Sequence, residues 1–123
     1  MGLDIYLLAQ SKHPSGADQY AKVGDFRKVN ALFGWVETHT GPIENQVTRE
    51  ITKAHLNALN QDLQSLTPET CATLFPCVDG FFFGSTEYDT DYWQTVATLI
   101  RWIDAMLATF DFENDRLLFY AWW

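Results

Sequence analysis

The chain has 123 residues, 47% hydrophobic and 20% charged, with a net charge of −8. Those proportions exclude a disordered tail and set a single domain over residues 1–123, whose core needs no disulfide or metal staple. The excess of acid works against nucleic acid and anionic membrane as partners, because their phosphates would be repelled.

Leu3 to Ala9 predicts a strand that is apolar on both faces and so interior to a sheet. Ser11 to Gly16 follows as a polar surface loop. Asp25 is read as an N-cap, with Phe26, Val29, Phe33 and Val36 recurring along a helix that Gly41 and Pro42 stop. A second helix is predicted from Thr48, with Glu50 in its first turn and Leu56, Leu59, Leu63 and Leu66 as its stripe. Thr67 and Pro68 open a short helical turn. Phe75 to Gly84, with Pro76 and an Asp79-Gly80 pair, predicts a hairpin or extended segment. The longest helix spans 90–109; Tyr92, Val96, Leu99 and Ile103 form its apolar face and Trp102 lies opposite among threonines. Arg116 to Trp122 predicts a last strand, again apolar on both faces. The fold class is α+β: the N- and C-terminal strands pair within a small sheet, packed by about three helices.

The opening residues lack the basic, long apolar pattern of a leader, and no stretch has the roughly 20 apolar residues of a membrane span. The expected setting is cytoplasmic, with Cys71 and Cys77 as reduced thiols whose spacing is neither a zinc ribbon nor a redox pair. Glu87, Asp89 and Asp91 alternate, but Tyr92 and Thr98 stand where a calcium loop of the EF-hand type needs Gly and Glu, so no metal site is predicted. His13, His39 and His55 are scattered, and neither a nucleotide-binding glycine motif nor a nucleophile with a base is evident. No cofactor is predicted, and the balance leans away from an enzyme.

Two stretches depart from an ordinary core pattern. Arg27, Lys28 and Asn30 form a compact basic and polar cluster, read as the first turns of a helix. There Arg27 and Asn30 could hold a carboxylate or phosphate, or Arg27 could pair with an acid such as Glu87. Gly80 to Asp89 carries consecutive Phe residues, including Phe82, then Ser85, Thr86, Glu87 and Tyr88. Extended backbone alternates its side chains, so the rings either line a ligand pocket or close a buried hairpin.

These motifs, with the opening MGLDIYL, Trp35, Val47 to Glu50 and Asp111 to Asn114, resemble a family of small bacteriophage and prophage proteins. Those begin MGLDMYL and carry a W-R-K-x-N helix and a GFFFGSTEYD run; here Phe26 stands for the Trp and Phe33 for an expected His. The resemblance implies a phage or prophage origin and a role in the bacterial host, with no particular reaction attached. It singles out Arg27, Lys28, Asn30, Trp35, Ser85, Thr86, Glu87 and Tyr88. The leading expectation is a non-enzymatic accessory protein that binds a host or defence protein through the Gly84 to Tyr88 loop and the Arg27 and Asn30 helix face, which predicts that Trp102, Trp122 and Trp123 are exposed. The alternative is a binder of a small anionic, nucleotide-like ligand, with Phe82 and Tyr88 lining its cavity. A small enzyme comes third, and a homodimer is a further use for surface tryptophan.

Overall fold

Strands from the two ends of the chain lie side by side at the centre of the sheet. In the computed structural model, which describes residues 2–16, 19–80 and 83–123, β1 (Asp4–Ser11) runs antiparallel to β4 (Asp115–Trp122). The outer positions belong to β2 (Tyr20–Arg27), beside β1, and β3 (Arg49–Ile51), beside β4, giving the order β2-β1-β4-β3. Helices α1 (Asn30–Thr40), α2 (Lys53–Gln64), the short α3 (Cys71–Leu74) and α4 (Thr90–Thr109) complete the α+β fold. Among the described residues, no helix is long and apolar enough to cross a membrane.

The helices cover one face of the sheet. Ile5, Leu7, Leu117, Phe119 and Ala121 point into the core and meet Leu32 and Val36 of α1, Leu56 and Leu59 of α2, and Leu99 and Ile103 of α4. Alternate residues point the other way: Tyr6, Leu8 and Tyr120 are half-buried and Trp122 is exposed. The central strands are apolar on both faces, as their composition predicts, but helices bury only one.

The stretch before α1 is a strand where the sequence pattern predicts a helix. Phe26 pairs with Ile5 and Arg27 with Asp4, and the Lys28 amide continues the ladder to the Leu3 carbonyl at 2.6 Å. Pairing slips by one residue opposite Leu7 and Leu8, leaving Val23 as a bulge that breaks the alternation by which strands are recognised. Asp25 therefore caps nothing; it sits beside Lys22 at 2.9 Å. The helix begins at Asn30, with Val29 at a cap position that has no side-chain bond.

The second helix also starts later than expected. Arg49–Ile51 is recruited to the free edge of β4, which puts Glu50 in a strand opposite Leu118. α2 starts at Lys53, where Thr52 and His55 form a reciprocal capping box. From Phe75 to Gly84 no strand forms among the described residues, so the expected hairpin is absent there. Phe82 and the neighbouring Phe81 lie outside the described residues. Trp102, expected among exposed threonines, turns onto β2: its indole donates to the Val23 carbonyl at 2.9 Å and its ring meets Phe26 edge-on.

Candidate functional site

The cluster at Arg27 to Asn30 is a junction between strand and helix. Arg27 ends β2, Lys28 turns with φ of 57°, and Asn30 opens α1. Arg27 and Asn30 therefore do not share a helix face as predicted. The turn brings the junction against the segment before α4. Gly84 passes so close that a Cβ there would lie 3.0 Å from the Lys28 Cβ and 3.1 Å from its carbonyl oxygen, and its φ of +98° suits glycine alone.

Asn30 fastens the two segments together. It is 3% exposed, and its Nδ2 donates to the Phe83 carbonyl at 3.2 Å and the Ser85 carbonyl at 2.9 Å. Its Oδ1 accepts the Val78 amide at 2.9 Å. Every polar atom of this side chain is thus bonded to backbone, and it shapes the loop from within the cavity lining.

Around this clasp lies a cavity of about 300 Å³, walled by the junction, the 75–89 segment and the first turns of α4. The junction contributes Arg27 and Lys28 to its lining, and the segment leading into α4 contributes Ser85, Glu87, Asp89 and Asp91. Phe75, Cys77 and Tyr92 give it a less polar base. The Arg27 side chain is 64% exposed and lies 4.0 Å from Asp4, not against Glu87, so it can swing toward a ligand. Asp89 accepts the Tyr92 amide at 3.2 Å as the N-cap of α4, which keeps a carboxylate at the cavity edge.

The base is held by hydroxyls. The Tyr92 phenol donates to the Phe75 carbonyl at 2.8 Å, and burial pushes its pKa up. The Cys77 thiol is also pushed up, first by burial and against a lowering contribution from its hydrogen bond with Tyr88. Tyr88 accepts the Cys77 amide at 3.0 Å and stands edge-on to Tyr92, behind the lining rather than in it. Both cysteines are free thiols.

Of the candidates singled out from sequence, Arg27, Lys28, Asn30, Ser85 and Glu87 come together at this cavity, and Tyr88 supports it. Thr86 is exposed beside it. Trp35 is elsewhere: 2% exposed, it donates to Asp62 of α2 at 2.9 Å and stacks on His39 at 3.8 Å, which makes it a core tie. Cys77, Asp91, Tyr92 and Thr95 were not singled out as site residues, because only the fold brings the head of α4 to the junction. Among the described residues no group of three or more His, Cys, Asp or Glu is placed to hold a metal ion. Of the three tryptophans expected at a partner surface, Trp122 is exposed, while Trp102 is half-buried and Trp123 packs edge-on against Phe33 and Phe83.

Compared with known proteins, the chain matches no family model, no curated protein and no solved structure.

Proposed function

We propose that this chain is a binding protein for a small ligand bearing both a positive and a negative group, seated in the cavity at the head of α4. The observation that carries the reading is the mixed charge of the cavity's lining: Arg27 and Lys28 from the junction, and Glu87, Asp89 and Asp91 from the segment leading into α4. A volume of about 300 Å³ is at the small end of ligand pockets, the scale of an amino acid or a short amine rather than a peptide. The acids outnumber the bases, which argues against a polyphosphate and for an amino or guanidino group paired with a carboxylate. The likeness to phage and prophage proteins belongs to the same proposal; it sets the source of the ligand as the metabolite pool of a bacterial host.

A thermal-shift screen against free amino acids, diamines, simple carboxylates and mononucleotides tests this directly. Zwitterions raise the melting temperature more than amines or carboxylates alone, and Arg27→Ala or Glu87→Gln abolishes the rise. Cys77 supplies a second, local readout, since it lines the cavity whereas Cys71 is buried. A bound ligand slows alkylation of Cys77 by a small maleimide. If no compound shifts melting or protects Cys77, the proposal fails.

A further inference from the structure

The face of the sheet turned away from the helices carries an ordered set of side chains. Strand register places them in rows: Arg27, Asp4 and Trp122; then Asp25, Tyr6 and Tyr120; then Lys22, Leu8, Leu118 and Glu50; then Tyr20, Gln10 and Arg116. The middle is apolar and aromatic. Tyr6 and Tyr120 stack at 6.1 Å, Lys22 lies 5.2 Å over the Tyr6 ring, and Leu118 is only 7% exposed. At the margins Trp122 is 49% exposed and Tyr20 53%.

The charges on this face cancel. Lys22 is paired with Asp25 at 2.9 Å, while Arg27 lies 4.0 Å from Asp4 and Arg116 3.8 Å from Glu50. A chain with net charge −8 thus has a sheet face with no net charge, and its excess acid lies elsewhere. Two copies repel each other over most of their surfaces. This face is where they can approach without that cost.

We infer that two copies of the chain associate through this face, sheet against sheet, about a twofold axis running along the strands. Such an axis lays β2 of one copy over β3 of the other. The third row is positive at its β2 end, Lys22, and negative at its β3 end, Glu50, with Leu8 and Leu118 between. A row of that kind is complementary to its own reverse, so Lys22 meets Glu50 of the second copy twice per dimer while the apolar centres meet each other. Self-complementarity is what an isologous interface requires, and a foreign partner gives no reason for it.

Area sets the strength. Three strands of eight residues make a rectangle of roughly 26 by 15 Å, about 400 Å² before side-chain relief is counted. That is at the low end for specific interfaces, so the dimer is weak and forms in the micromolar range.

Sedimentation velocity of the intact chain across micromolar concentrations tests this. The expected result is a monomer–dimer equilibrium that Trp122→Glu weakens about tenfold or more, as loss of an interface aromatic does. Lys22→Glu weakens it several-fold, and adding Glu50→Lys in the same chain restores it. None of these residues lines the cavity, and a circular dichroism melt shows that each variant is folded. A monomer at every concentration overturns the inference, whether the face is bare or belongs to another protein. So does a dimer that Trp122→Glu and Lys22→Glu leave unchanged.

Discussion

Asn30 lines the cavity and decides its shape. Its amide bonds Phe83, Ser85 and Val78, two donated and one accepted, in a place with almost no solvent. Asn30→Ala leaves those backbone groups unpaired and lowers stability by about 2–4 kcal/mol in urea unfolding. Asn30→Asp does nearly as much damage, because a carboxylate cannot donate to two carbonyls. Hydrogen exchange then separates local from global loss: the Val78 amide loses protection in Asn30→Ala, keeps more of it in Asn30→Asp, which still offers an acceptor, and the centre of β4 keeps its own in both. Arg49 works in a similar way at the far end of α1. Its guanidinium donates to the carbonyls of Thr40, Gly41 and Pro42 at 2.6, 3.1 and 2.6 Å, closing a helix end that would otherwise leave them bare. Arg49→Ala costs about 2 kcal/mol, and Arg49→Lys recovers less than half, because a point charge cannot span three carbonyls. The sequence marks Asn30 as part of a polar cluster and Arg49 only within the Val47 to Glu50 stretch. Neither role is legible there, since each depends on backbone beyond the residue's own turn: 48 to 55 positions away for Asn30 and 7 to 9 for Arg49.

Among the elements, those with complete local signals were read correctly and those completed by a neighbour were not. α4 has an acidic cap at Asp89 and an apolar face at Tyr92, Val96, Leu99 and Ile103, so its bounds of 90–109 followed from the chain itself. β2 has few such signals. Its core-facing residues include Gly24 and Phe26, its register is broken at Val23, and Phe26, Val29, Phe33 and Val36 happen to repeat as a helix does. Only pairing with β1 makes it a strand. Gly24 lets Trp102 lie close, since a Cβ there would be 3.0 Å from the indole nitrogen and the ring would have to give by a few tenths of an ångström. The pattern starts α2 at Thr48, with Glu50 in its first turn, which is too early; Thr52 is the cap, since β3 uses the residues between. Thr52→Ala therefore lowers stability by about 1 kcal/mol, whereas Thr48→Ala is neutral within about 0.5 kcal/mol. Equal effects from the two, measured by chemical unfolding, would falsify this assignment of the helix start.

At the scale of the whole molecule, the cavity base couples folding to alkaline pH. Burial raises the Tyr92 phenol above its ordinary 10.0 and the Cys77 thiol above its ordinary 9.0. Below pH 8 or so both groups hold their protons folded and unfolded, and neither makes stability depend on pH. Above pH 9 the unfolded chain releases a proton that folded Cys77 keeps, and above pH 10 the same becomes true of Tyr92. Stability therefore falls as pH rises through this window, because the unfolded state binds fewer protons. Lys22, raised by its hydrogen bond to Asp25, acts in the same direction but sits at the surface where solvent screens it. Tyr92→Phe separates the buried contribution from the rest. At pH 7 it loses the bond to the Phe75 carbonyl and about 1 kcal/mol. Its melting temperature then declines less steeply than the wild type's between pH 10 and 11, so the two curves converge. Curves that stay parallel would mean that Tyr92 ionises as freely folded as unfolded, and that water reaches the base of the cavity.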